Sequence, residues 1–261
     1  MNPSPDNGDR GAADKTADES AQPAETPPLH SAFPRTQAPR PAWRLIPSQC
    51  PPIGLFDTVA TAADLGAAME LAGWTNDRLV TERIARLPQA EWVYGRPNSS
   101  VVMASFLHVA PGGMRFNGAE LGAWYAAADI RTAAAEVGHH LRREAASRAL
   151  PGLRRVYRSY AARLDGGFVD IRRAHAPAGQ GPLLDPLYDP QAYVRSQPFG
   201  EAVRDAALAG IVFDSLRLAG GVNAVAYRPS LVLDIVQADH YAIHVRRDER
   251  RIDVEWLKAG A

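Results

Sequence analysis

Between Met114 and His140 the sequence reads MRFNGAELGAWYAAADIRTAAAEVGHH, with Arg115, Tyr125 and Glu136 falling at the joins between a loop, a short apolar run and a helical run. Side chains at such joins are held in place by regular structure and stay reachable by a ligand, so function tends to collect there. Far downstream, Ser215 closes an apolar run on a hydroxyl. Taken singly, each has a plainer explanation: Arg115 as a solvated loop residue, Glu136 as a helix-surface charge, Ser215 as a strand-end hydroxyl. Residue type and spacing alone do not decide against those explanations.

Other chemistries lack their signatures. There is no GxGxxG, no P-loop and no GxSxG elbow, which removes support for a dinucleotide oxidoreductase, an NTPase or an α/β-hydrolase. His139 and His140 are adjacent, and neighbours on a helix point about 100° apart, a poor arrangement for chelating one ion. His240 and His244 could share one side of a strand, but no cysteine or carboxylate of suitable spacing completes a ligand set. No metal site is expected, and both pairs read as satisfied surface or core histidines.

Lys+Arg and Asp+Glu both number 29, so no net field gathers nucleic acid or an anionic membrane. A single cysteine, Cys50, excludes an internal disulfide framework and points to a reducing compartment. With no apolar run of membrane length and no leader pattern, a cytoplasmic protein is expected. Residues 1–40 are rich in Pro, Ala, Ser, Thr and acids and read as a disordered tail, with order beginning near Trp43 and one domain occupying 41–261.

Within that domain the pattern predicts helices over Thr58–Met69 and Asn76–Leu87. It predicts a buried strand over Val101–Val109, then a strand at Trp124–Ala126 and a helix capped by Asp129 and reaching Ala146. Leu153–Leu164 and Phe168–Arg173 flank Asp165-Gly166-Gly167 as a hairpin, and residues 174–190 read as a loop. Ser196–Ala209 is helical in pattern, and Gly210–Ser215 and Val222–Tyr227 are strand-like. A meander of Leu231–Val236, Tyr241–Val245 and Ile252–Trp256 closes the chain around a polar turn at Arg247–Arg250. Mixed helices and strands without regular βαβ alternation favour an α+β fold.

The pieces, in order, resemble the RES domain family. They are Trp43-Arg44, Pro51-Pro52-Ile53-Gly54-Leu55-Phe56-Asp57, Asn76-Asp77-Arg78-Leu79, Arg115-Phe116-Asn117, Tyr125, Thr132 to Glu136, Gly210-Ile211 with Ser215, and Gly220-Gly221-Val222-Asn223 before Arg228-Pro229. No piece is specific alone; their shared order is. The PPIGLFD and NDRL segments resemble a longer subgroup, and Met114-Arg115-Phe116-Asn117 stands where short members often read Gly-Arg-Trp-Asn.

The resemblance implies an ADP-ribosyltransferase-like α+β domain acting as the toxin of a toxin-antitoxin pair, held inactive by an Xre-type helix-turn-helix antitoxin, with a homodimer inside the complex allowed for. It implies NAD as substrate, with the nicotinamide–ribose bond cleaved by hydrolysis or phosphorolysis, phosphate as a co-substrate in the latter case, and no resident cofactor. Glu136, Arg115 and Ser215 fall on catalytic positions. Tyr125, Arg44, Arg78 and Asn223 join as substrate-binding residues. On this reading Glu136 stabilises positive charge developing on the ribose, and Arg115 clamps the pyrophosphate with Arg44 or Arg78 as helpers. Tyr125 stacks or orients nicotinamide, and Ser215 positions Glu136 or the ribose rather than attacking. Transfer of ADP-ribose to a macromolecule and a catalytically silent antitoxin-binding role are the alternatives; direct DNA binding is least expected. Glu120, in the loop after Arg115, would oppose an anionic ligand if it faced inward.

Overall fold

The computed structural model describes residues 28–49, 56–61, 63–64 and 82–258. Among the described residues nine strands form one sheet: β1 (Arg35–Thr36), β2 (Ala42–Pro47), β3 (Trp124–Ala127), β4 (Gly152–Leu164), β5 (Phe168–Asp170), β6 (Gly210–Asp214), β7 (Val222–Ala226), β8 (Val232–Arg246) and β9 (Ile252–Leu257). Their order is β1-β5-β6-β7-β3-β2-β4-β8-β9, and every pairing is antiparallel except β5 with β6. Helices α1 (Ser99–Leu107), α2 (Ile130–Ser147) and α3 (Ser196–Asp205) pack on this sheet, and the fold is α+β.

Strand alternation divides the core between two faces. On β3 and β7, Trp124, Ala126, Ala224 and Ala226 join the cluster containing α1, whereas Tyr125 and Val225 join the opposite one with Phe199 and Val203 of α3. Helix α2 covers the same side as Ala127, burying Ala133, Ala134 and Leu141 with Leu45, Tyr157 and Ile243. Its start is well specified: the Asp129 carboxylate accepts from the Thr132 amide at 2.7 Å and the Thr132 hydroxyl at 2.9 Å. That satisfies donors a helix start leaves free.

The sheet opens at one seam. β2 pairs with β4 along its whole length, and β3 pairs likewise with β7, but β2 meets β3 only at Trp43–Ala127. The Tyr125 carbonyl faces this opening, where the Arg44 guanidinium donates to it at 2.9 Å from above the Trp124 ring. A charged side chain thus replaces a ladder bond and leaves a polar recess between the two halves of the sheet.

Several expectations need correction. Val101–Val109 is not a strand, since Ser99–Leu107 is helical. Ser99, Ser100, Val101, Val102, Met103, Ser105, Phe106 and Leu107 are all buried, so the helix has no polar stripe, and a short apolar run buried all round carries no period that separates helix from strand. The hairpin around Asp165-Gly166-Gly167 does not form either. β4 pairs with β2 and β8, while β5 pairs with β1 and β6, so Gly166, at φ +91°, turns the chain across the sheet rather than back on itself.

Residues 231–245 hold one long strand in place of two short ones. The polar segment Gln237–His240 stays paired to β4 through register shifts near Arg158–Tyr160, where the Ser159 hydroxyl donates to the Asp239 carbonyl at 2.8 Å. The stretch 174–190 contains short helical turns at Gly181–Leu184 and Asp185–Tyr188. Order also begins before Trp43. Leu29–Ala32 forms a 3-10 turn, β1 pairs with β5, and Phe33 is buried against Phe199, so the assignment of all of residues 1–40 to a disordered tail fails for 28–40. Of the helix expected over Asn76–Leu87, residues 82–84 are helical and 85–87 form a turn, while 76–81, Arg78 among them, lie outside the described residues. Of Thr58–Met69, residues 58–61 are not helical, 63–64 are, and the other half lies outside the described residues.

Candidate active site

Glu136 stands on α2 opposite the ends of β6 and β7. Two donors converge on one of its oxygens: Ser215, just past β6, donates its hydroxyl to Oε1 at 2.7 Å, and Asn223 of β7 donates its amide at 2.8 Å. Oε2 takes no hydrogen bond from the described residues. The carboxylate is therefore locked in orientation through one oxygen while the other stays available, the preorganisation a charge-stabilising group requires. The Ser215 hydroxyl is committed to Glu136 and also accepts from the amides of Arg217 and Leu218 at 3.1 Å each, which suits a positioning residue and not a nucleophile.

The chain approaches itself closely here. A methyl group on Gly221 would sit 2.9 Å from the Thr132 side chain and 3.0 Å from the Ser215 Cβ, so a glycine is needed for the turn after β6 to lie against the start of α2.

Glu136 lines an open cleft of about 950 Å³, open solvent included, beside the seam between β2 and β3. Arg44, Arg115, Tyr125 and Asn223 line it too, so the fold brings together the expected residues that are described, with Ser215 immediately behind Glu136. Arg115 is buried, with Nη1 donating to the carbonyls of Leu187 at 3.2 Å and Asp189 at 2.8 Å and its guanidinium 5.0 Å from the centre of the Tyr193 ring. Burial lowers its pKa, and Arg217 adds to the fall against the opposing pull of Tyr193 and Glu136. Burial likewise brings Arg44 down to about 10, which leaves it cationic at neutral pH.

The Arg115 loop is held from three sides. The Tyr125 hydroxyl accepts from the Phe116 amide at 3.0 Å and donates to Asn117 Oδ1 at 2.8 Å, while the Tyr227 hydroxyl donates to the Phe116 carbonyl at 2.8 Å. From α3, Gln197 donates to the carbonyls of Gly112 and Met114, and Glu201 accepts from the Gly118 amide. Tyr125 thus spends its hydroxyl on the loop, and burial raises its pKa. Only its ring remains for a ligand. Glu120 ion-pairs with Arg86, and both side chains are exposed, so it does not face the cleft.

Three polar lining residues are not among the expected site residues: two carry no sequence signal, and His140 is expected only as a satisfied surface or core histidine. Tyr193 covers Arg115, Arg217 follows Ser215 by two positions, and His140 lies one turn after Glu136. Desolvation by the cleft wall lowers the His140 pKa, with Arg143, Arg217 and Arg115 acting the same way against Glu136. Only the i, i+4 spacing of Glu136 and His140 was visible beforehand.

The RES domain model matches residues 83–246, and the chain belongs to that family. Curated proteins give no sequence match. Among solved structures, the crystal structure of the M. tuberculosis MbcT–MbcA toxin–antitoxin complex is similar at 16% identity and a TM-score of 0.43, covering 78% of this chain and 86% of that one.

Proposed function

We propose that this RES domain protein is the toxin of a toxin-antitoxin pair and that it cleaves the nicotinamide–ribose bond of NAD. The observation that carries the reading is the Glu136 carboxylate, fixed through Oε1 by Ser215 and Asn223 with Oε2 left for a ligand, in a cleft that also holds Arg44, Arg115 and Arg217.

The chemistry suits that set. When the bond between ribose C1′ and the cationic nicotinamide nitrogen breaks, the bonding pair leaves with nicotinamide, which departs neutral and needs no acid. Positive charge develops on the ribose, and Glu136 Oε2, by accepting from ribose hydroxyls, stabilises it most in the transition state. Water or phosphate then adds at C1′ and gives up a proton to solvent. Arginine forks match the pyrophosphate oxygens, and the Tyr125 ring offers an apolar face to nicotinamide.

The test is to incubate the purified protein with NAD, with and without phosphate, and follow free nicotinamide. Wild type should release it, and Glu136→Gln should slow release by about 100-fold or more, the scale seen when one preorganised electrostatic group is lost. No release by wild type, or equal release by the variant, would refute the reading. Label from NAD appearing on a macromolecule would redirect it to ADP-ribosyl transfer. An Xre-type helix-turn-helix protein should be encoded alongside and should suppress the activity when co-purified.

A further inference from the structure

We infer that Arg217 is the principal ligand of the dinucleotide's pyrophosphate, held at the cleft by the same Ser215 hydroxyl that fixes Glu136. This rests on reading the cleft as an NAD site.

The cations of the cleft are not equally free. Arg44 is spent on the Tyr125 carbonyl and the Trp124 ring, and Arg115 holds two carbonyls of the 187–189 segment beneath Tyr193. Arg217 is half-buried and lines the cleft, yet its guanidinium has no hydrogen bond or ion pair among the described residues. A partly desolvated guanidinium without a counter-charge loses hydration and gains nothing until an anion arrives. Its field is felt by its neighbours, since it contributes to the lowered pKa values of Arg115, His139 and His140.

Its backbone is also fixed. Ser215 Oγ accepts from the Arg217 and Leu218 amides, the Ser215 amide donates to the Gly221 carbonyl at 2.8 Å, and the Gly221 amide donates to the Leu218 carbonyl at 3.0 Å. One hydroxyl therefore sets both the carboxylate that faces the ribose and the turn that carries the cation. The signs suit as well: NAD brings two negative charges on its pyrophosphate and one positive charge on nicotinamide, against the arginines of the cleft and the Glu136 carboxylate.

The experiment compares nicotinamide release from NAD and from nicotinamide riboside, which has the same scissile bond and no phosphate. Wild type should prefer NAD. Arg217→Gln should raise the KM for NAD by roughly 10- to 100-fold, as expected for a lost charge-assisted pair, with kcat within a few-fold and the riboside reaction affected far less than the NAD reaction. Arg217→Lys should recover part of the preference. An equal loss on both substrates, or an intact preference for NAD, would overturn the assignment. If wild type cleaves neither substrate, the NAD-cleaving reading fails on its own. Calorimetry with ADP-ribose then decides for Arg217: binding that weakens at least tenfold in Arg217→Gln upholds an anion site, and equal binding or none refutes it.

Discussion

The two oxygens of Glu136 have different surroundings, and the difference divides their work. Oε1 is held by Ser215 and Asn223, which arrive from either side of the turn between β6 and β7. Removing either donor leaves the carboxylate charged but freer to rotate, and catalysis is sensitive to such misplacement. Ser215→Ala and Asn223→Ala should each lower kcat for nicotinamide release by about 10- to 100-fold. Ser215→Ala alone should also raise KM, because it releases the amides of Arg217 and Leu218. Steady-state kinetics on both variants checks this, and identical KM changes would show that the hydroxyl does not support the Arg217 turn. Arg115, Glu136 and Ser215 could be picked out in the sequence only through the order of family segments. Arg217 could not, because an arginine in an irregular turn has no period, and its lack of a side-chain partner among the described residues exists only after folding.

Among the elements, α2 was the most legible and α1 the least. The Asp129 cap and the recurring apolar positions of α2 are local signals, and local signals survive in sequence. Helix α1 is buried on nearly every side and its serines form no stripe, so its state depends on neighbours distant in the chain. α3 acts on the site without lining it. A methyl group on Gly200 would fall 1.9 Å from the Phe116 carbonyl oxygen and 2.5 Å from the Tyr227 hydroxyl, so a glycine lets the helix lie directly on the Arg115 loop. Gly200→Ala should force the two apart, costing about 1–3 kcal/mol as overpacking does. Thermal melting should show a drop of roughly 3–10 °C for a chain of this size. Activity should fall along with it through displacement of Arg115. A variant that melts like wild type would mean that α3 does not set the position of the loop.

At the scale of the whole molecule, the sheet joins segments that no local pattern could match. β1 lies beside β5, some 130 residues on, with Arg35 opposite Val169 and Thr36 opposite Phe168, and β5 continues in parallel to β6. The polar composition of residues 1–40 concealed this, because two residues of strand and one aromatic anchor suffice to dock a segment whose neighbours stay hydrophilic. Phe33 is that anchor. It is buried with Phe199 in the cluster that also holds Phe116, Phe213 and Tyr188, beneath the Arg115 loop and the 187–189 segment that binds the Arg115 guanidinium. The Pro34 carbonyl beside it accepts from the Asp170 amide at 2.9 Å. Phe33→Ala should therefore destabilise the protein by about 3 kcal/mol, the lower end of the range for truncating a buried phenylalanine. Because the cavity would open under the Arg115 supports, nicotinamide release should also become more heat-sensitive than that of wild type. Chemical denaturation measures the first effect and activity against temperature the second. A variant as stable as wild type would place the edge of the functional domain after residue 40.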